Sequence, residues 1–352
     1  MFSFKQLSNY FLLTVLLLAS MACEDDSPSD SFRGDIIISN EGNYGGGNGS
    51  ISFFNRDSKE VNNTVFAKAN APRKLEASVQ SVSISGNTAF IVCNASSKIE
   101  VVDASSFEAK VAPIEDDSLI SPRYLTVANN KAYVSVWGPF NDSWQLTESK
   151  VAVIDLDDYS IIKYIDTEDG PEDIIAVDNK VYVANSYTNK LSIINTNTDE
   201  VEKVLELDGS PVRFVLEEDD LWVSVGGAAA QFLEIDTEDD TIETTIDVSG
   251  TNTTGKFDVN DELDMIYFVG AEPWPATATV VYQVSNEDAT DKAEALISGE
   301  HFYMVGSDPA TNTLYVGNSN SFQGEGTLLH YDADGNLLET YAVGVGPNGI
   351  HF

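Results

Sequence analysis

One phrase recurs seven times along this chain: two short apolar strands, a variable loop, a third strand, then an acidic turn. It is seen in VYVANSYTNKLSIINTNTDEVEKV from Val181 and in AYVSVWGPFNDSWQLTESKVAVIDLDDYSIIKY from Ala132. It returns in AFIVCNASSKIEVVDASSFEAKV from Ala89 and in LYVGNSNSFQGEGTLLHYDADGNLLETY from Leu314. The equivalent turn positions are Asn55, Asp103, Asp155, Asn195, Asp236, Ser285 and Asp332, a period of roughly 40 to 52 residues. Within each copy the apolar residues alternate in twos, and a helical spacing fails almost everywhere after Arg33. A period of that length, built from alternating Val, Ile and Tyr strands, predicts an all-β propeller of seven four-stranded blades.

A second phrase introduces an inner strand for each blade. It reads SPRYLTV from Ser121, GPEDIIAV from Gly170 and SPVRFVL from Ser210, with looser copies near Gln80, Gly255 and His301. A last copy, GPNGIHF, ends the chain with no blade after it. The first blade begins at Asp35 with DIIISNEG and has no inner strand before it. Joining the two predicts a closed ring in which Pro347 to Phe352 lies beside Asp35 to Asn40. Closure removes the free sheet edges of a linear array and makes the last six residues structural rather than a frayed tail.

The repeat runs unbroken, so residues 35–352 read as one domain in spite of their length. Residues 1–22 read as a signal peptide: Lys5, an apolar run from Tyr10 to Ala19 too short to span a bilayer, then Ser20-Met21-Ala22 before Cys23. Cys23 so placed resembles the lipidated cysteine of a bacterial lipobox, although Ser20 stands where leucine is usual. The acidic, proline-broken EDDSPSDSFR completes a flexible tether over residues 23–34. Acids directly after the lipidated cysteine resemble the export signal of Bacteroidetes surface lipoproteins. That resemblance implies an outer-membrane protein exposed on the cell surface, touching the membrane only through its lipid anchor. Once Cys23 is lipidated, Cys93 has no disulfide partner and reads as a packing residue in a strand. The formal charge of −38 repels phosphate backbones, and no basic stripe compensates, which excludes nucleic acid as a partner.

In a blade of this kind the loop between second and third strands opens on the same face as the connector between blades. That face carries NEGNYGGGNG from Asn40, WGPFNDSWQLTES from Trp137, GAEPWPATA from Gly270 and NSNSFQGEG from Asn318. Trp137, Trp144 and Trp274 fall in these loops, joined by Tyr44, Phe140, Tyr187 and Phe322. Strand residues already supply the blade packing, so the loop aromatics either fold over blade edges or line a ligand surface. Trp222, in the strand LWVSV, reads instead as core. Near the central channel the inner-strand entries add Gln80, Arg123, Glu172, Asp173, Arg213, Lys256, His301 and Asn348. These are either local ion pairs and connector caps or a funnel of donors and acceptors beneath an aromatic rim. Asn40, Asn94, Asn185 and Asn318 recur after the second strand, where the choice is between turn formation and amide recognition.

Catalytic patterns are weak. DADGN at Asp332 lacks the frame of a calcium loop and occupies the same hairpin turn as NTNTDE and DTEDDT, so it reads as turn chemistry. GGGNG near Gly45 precedes a strand rather than a helix. His301, His330 and His351 have no metal-ligand spacing, and no serine or cysteine has an evident base. The expectation is a non-enzymatic protein without metal or cofactor.

From about Asp35 to Phe352 the chain resembles the YncE-like, YVTN-type seven-bladed propellers, and within them the Bacteroidetes surface-lipoprotein branch. The phrases that carry this are NEGNYGGGNGSISFFN, QSVSISGNTAFIVCNASSKIEVVD and SPRYLTVANNKAYVSVWG. The resemblance implies a role shared by some of that branch: capturing cobalamin or a related corrinoid for a TonB-dependent outer-membrane transporter. Its alternative is a non-catalytic envelope scaffold that grips a protein or glycan through the aromatic loops.

Overall fold

The computed structural model describes residues 35–43, 45–75, 78–227, 230–273 and 276–352. The expected signal peptide, the tether and Cys23 lie outside the described residues, as do Tyr44 and Trp274. Strands β1 to β28, numbered in chain order, pair into seven antiparallel sheets of four, the expected propeller blades. The inner strands are β4 (Val79–Ser85), β8 (Pro122–Ala128), β12 (Pro171–Val177), β16 (Ser210–Glu217), β20 (Thr253–Asn260), β24 (Phe302–Asp308) and β28 (Pro347–His351).

Position within a blade sets which residues the sequence can place there. The second strand β13 (Lys180–Asn185) is buried from Val181 onward on both of its faces, because a neighbouring blade covers each side. Its sequence is correspondingly apolar throughout. The outer strand β15 (Glu200–Glu206) alternates exposed and half-buried residues and reads EVEKVLE. The core is accordingly a ring of clusters between successive blades rather than one central mass. One joins Phe90, Ile99 and Val101 to Leu125, Val134 and Ile154, and another joins Trp222 and Phe232 to Phe257 and Phe268. Each large apolar side chain so buried contributes about 1.5–3 kcal/mol. Cys93 and Trp222 are both buried, as expected of packing residues.

Polar clamps reinforce these seams. Asp199, at a hairpin turn of the fourth blade, accepts hydrogen bonds from Lys131 Nζ at 2.6 Å and Tyr133 Oη at 2.6 Å on the third. Asp240 of the fifth blade accepts from Lys180 Nζ at 2.8 Å and Tyr182 Oη at 2.7 Å on the fourth. The K-x-Y strand opening and the acidic hairpin are thus two halves of one inter-blade contact. At the closing seam Arg56 pairs with Asp308, and Lys59 Nζ lies 2.7 Å from Glu339.

The ring closes as the terminal phrases predict. Strand β28 pairs antiparallel with β1 (Ile36–Asn40), placing Ile37 opposite His351 and Ile38 opposite Ile350. Ser39 Oγ donates to Asn348 Oδ1 at 2.8 Å, while Asn348 Nδ2 donates to the carbonyls of Val79 and Gln80. The outer strands of the first two blades, β3 (Val61–Asn62) and β7 (Ile114–Glu115), shrink to two residues each. The first blade's connector also carries a short helix, α1 (Val65–Ala69), which period-two alternation does not signal.

Near their loop-face ends the inner strands carry a register shift: between Pro122 and Leu125, Pro171 and Ile174, Pro211 and Arg213, and at the corresponding place in the other blades. Such bulges re-aim side chains. Serines of the second strands stitch them: Ser135 Oγ accepts from Tyr124 N and donates to the Glu172 carbonyl of the next blade at 2.6 Å. Ser224 Oγ repeats this with Arg213 N and the Gly255 carbonyl.

Deleting Pro347 to Phe352 is expected to remove stability comparable with that of a whole domain, about 5–15 kcal/mol. Thermal unfolding followed by circular dichroism checks this. The truncated chain should lose the intact chain's cooperative transition, and an unchanged midpoint would contradict closure by β28.

Candidate functional site

The loop-face site is built on the third and fourth blades. After β9 (Lys131–Val136) the chain enters a loop that closes on itself. Gly138 has φ 78° and sits where a Cβ would lie 2.7 Å from the Glu148 carbonyl oxygen, so only glycine fits this pinch. Above it Phe140 bridges to Leu146, and the Asn141 side chain accepts from Ser143 N at 2.8 Å and Gln145 N at 3.0 Å. Leu146 is buried and anchors the loop, while Trp144, in the left-handed region, points away from it. Across the seam, Tyr187 packs over Gly170, where a Cβ would stand 2.4 Å from the ring.

These constraints bring four of the expected aromatics together. Ring centroids of Trp137 and Tyr187 are 5.4 Å apart at 75°, and those of Trp137 and Phe140 are 6.2 Å apart at 88°. Phe140 lies 6.4 Å from Tyr187 and 6.2 Å from Trp144. Both distances and angles are those of favourable edge-to-face and tilted contacts. The cluster rises from a half-buried Trp137 to Phe140, 39% exposed, Tyr187, 53%, and Trp144, 81%. Arg123 underlies it, its guanidinium 4.1 Å from the Trp137 ring centre. Two hydrogen bonds to Glu172, at 2.8 and 2.6 Å, lock that guanidinium in a bidentate pair. Among the described residues, the buried Trp137 Nε1 has no hydrogen-bond partner.

The other expected residues are distributed differently. Phe322 lies apart from this cluster: it covers Gly346 and meets Tyr303 edge-on at 5.3 Å, at the channel mouth. Tyr303 Oη donates to Glu41 at 2.6 Å, and burial first, then Glu41, pushes the Tyr303 phenol up. Arg213 and Lys256 lie in the channel wall, and line one small cavity with Asp258 and Asn348. Gln80 and Arg213 both donate to Tyr124 Oη, at 3.4 and 2.9 Å. Asn94 and Asn318 donate to the carbonyls of Pro122 and Glu300. Asn40 and Asn185 are buried and hold the ends of their own hairpins, so all four amide NH2 groups serve the backbone. Sequence reasoning missed Glu41, Tyr124 and Tyr303. The repeat does carry a signal for Tyr303, which follows Phe302 as Arg123 follows Pro122; Glu41 has none.

Two channel groups have strongly displaced titration. Burial raises Asp258 from 3.8 to about 7, against the weaker opposing effect of hydrogen bonds from Ser307 and Val259. Burial, then Arg213, lowers His351 from 6.5 to about 4. Among the described residues, no group of three or more His, Cys, Asp or Glu is arranged to hold a metal ion.

Fold and site together define a seven-bladed propeller whose loop face carries a raised aromatic cluster beside a polar channel mouth. The chain belongs to the family described as a domain of unknown function (DUF5074), matched over residues 34–345. A comparison with curated proteins finds no match. Among solved structures it is similar to a quinonprotein alcohol dehydrogenase-like protein from Bacteroides thetaiotaomicron, with a TM-score of 0.69 and 17% identity. That similarity covers 92% of this chain and 78% of the other. A putative 6-phosphogluconolactonase from Bacteroides fragilis has a TM-score of 0.65 at 12% identity, covering 93% and 99% of the two chains. The periplasmic gluconolactonase of Pseudomonas aeruginosa has the same TM-score at 10% identity, covering 90% and 98%. At these identities the likeness is one of fold alone, and fold decides neither for catalysis nor against it.

The channel groups give an expected pH dependence. Folded Asp258 keeps a proton that the unfolded chain releases above about 4, so its burial costs stability progressively as pH rises from about 4 to about 7. His351 acts oppositely, costing stability as pH falls from 6.5 to about 4. Asp258→Asn removes only the first effect. Its stability relative to wild type should rise between about pH 4 and 7, by at most about 4 kcal/mol, and then level off. Urea unfolding at a series of pH values checks this, and a difference that does not change with pH contradicts it.

Proposed function

We propose that this protein is a surface-exposed, lipid-anchored capture protein that binds a ligand on the loop face and passes it to a TonB-dependent outer-membrane transporter. The leading ligand is cobalamin or a related corrinoid. The observation that carries the reading is the contiguous staircase of Trp137, Phe140, Trp144 and Tyr187, 39% exposed or more above its base and braced by the Arg123–Glu172 pair. Rigid aromatics present large contact area at small entropic cost. A corrinoid is a broad disc with apolar faces and a fringe of amides. The aromatic staircase suits its faces, and the loop's exposed polar side chains, Asn141, Asp142, Ser143 and Gln145, suit its fringe. Lipidation at Cys23, outer-membrane placement and the transporter partner belong to the same proposal, on the sequence features around Cys23.

A second reading has one observation in its favour. Trp144, 81% exposed at the loop tip, suits a flat protein or glycan surface as well as a disc.

Calorimetric titration of the full-length protein with cyanocobalamin, with tryptophan fluorescence in parallel, tests the proposal. Saturable one-to-one binding is expected, weakened at least about tenfold in Trp144→Ala/Tyr187→Ala, a loss of about 1.4 kcal/mol or more. Absence of heat and quenching overturns corrinoid capture, and unchanged affinity in the double variant overturns the assigned face.

A further inference from the structure

The central channel contains a feature that aromatic capture leaves unused. Arg213 on β16 and Lys256 on the adjacent β20 each directly precede a buried phenylalanine, Phe214 or Phe257. Together with Asp258, Met304, Asn348 and Gly349 they surround a cavity of about 60 Å³. No ion pair within 4.0 Å among the described residues involves either cation. Arg213 gives one N–H to Tyr124 Oη at 2.9 Å, and Lys256 Nζ stands 5.8 Å from the Tyr303 ring centre.

Nearby carboxylates are turned elsewhere. Asp173 accepts from the backbone N–H groups of Ile174 and Phe214, each at 2.9 Å. Asp258 accepts from Ser307 N at 2.7 Å, Glu172 is held by Arg123, and Glu41 by Tyr303. Asp173, Asp258 and Glu172 are near enough to favour the charge on Arg213, yet no carboxylate among the described residues comes within 4.0 Å of either cation. Both cations are half-buried and share one cavity wall, so an anion placed between them would give each a short charge-assisted hydrogen bond that it lacks.

We propose that the middle of the channel binds the carboxylate group of a small organic acid, held between Arg213 and Lys256. The arginine fork matches a carboxylate edge-on. A monoanion is favoured over a dianion such as phosphate because Asp173 and Glu172 already act on Arg213 in a protein of net charge −38. An organic body is indicated because Arg213 also lines the wider cavity below, about 440 Å³, toward the turn face. Its wall includes Val82, Leu125, Phe214 and the partly exposed Ile84 and Phe352. The site is independent of the loop-face aromatics and of whatever they bind.

Calorimetry of the full-length protein with sodium benzoate, and with inorganic phosphate at matched ionic strength, tests the proposal. Benzoate should saturate one site, with phosphate at least about tenfold weaker. Arg213→Gln and Lys256→Gln should each weaken benzoate by about tenfold or more, with an unchanged far-ultraviolet circular dichroism spectrum. If Arg213→Gln does not fold, Lys256→Gln decides by the same criterion. No saturation by about 50 mM benzoate overturns the site. So does phosphate binding as tightly as benzoate, or benzoate affinity unchanged in the folded variants.

Discussion

Seven separate sheets become one molecule because the last strand of the chain pairs with the first. Residues 347–351 supply the inner strand that the first blade lacks, and the pairing of Ile38 with Ile350 and Ile37 with His351 turns a row of blades into a ring. A row would leave an unpaired edge and an uncovered apolar face at each end. A ring leaves neither, and it creates a channel walled by inner strands from all the blades. The apolar clusters between blades are then equivalent in kind around the ring, with the Lys131–Asp199 and Lys180–Asp240 clamps repeated outside them. Lysine and tyrosine share one aspartate in each clamp, so the acid accepts one charge-assisted and one neutral hydrogen bond from the same strand.

The chemistry of the loop face depends on the bulge that recurs near the top of the inner strands. A regular strand would send alternate residues to opposite faces. With one residue inserted, consecutive side chains reach the channel region, as Arg123 and Tyr124 do, and as Glu172 and Asp173 do. Arg123 can therefore hold Glu172 and support Trp137 while Tyr124, one residue on, reaches Arg213 across the channel. The Arg123 brace beneath the aromatic cluster and the channel polar groups are two outputs of one backbone irregularity.

How much of this was legible follows from the range of each interaction. Blade number, strand order and closure depend on period-two alternation and on a surplus inner-strand phrase, both local patterns. Trp222 and Cys93 were legible as core because they sit among strand residues. The meeting of Trp137, Phe140, Trp144 and Tyr187 on one patch was legible only as far as the shared face. Its geometry rests on a left-handed tryptophan, a glycine pinch and a contact between blades, none of which has a sequence period. Phe322 illustrates the limit: three consecutive non-glycine residues, Asn320 to Phe322, take positive φ and fold its ring back over Gly346 toward the channel mouth. Arg213 and Lys256 were legible as channel-entry residues from the inner-strand phrase, but the bulge that shifts their register by a residue is not revealed by alternation alone. The loop asparagines offered two readings, and their hydrogen bonds select backbone support.

The central functional claim is that the loop face of the third and fourth blades is where this propeller meets its ligand. Amide hydrogen exchange on the intact protein, with and without saturating cyanocobalamin, addresses that face directly and without any substitution. The account predicts slowed exchange concentrated in residues 138–147 and 186–189, with the hairpin turns of the opposite face unchanged. Protection confined to the turn face or to the outer strands, with the 138–147 loop unaltered, would contradict it.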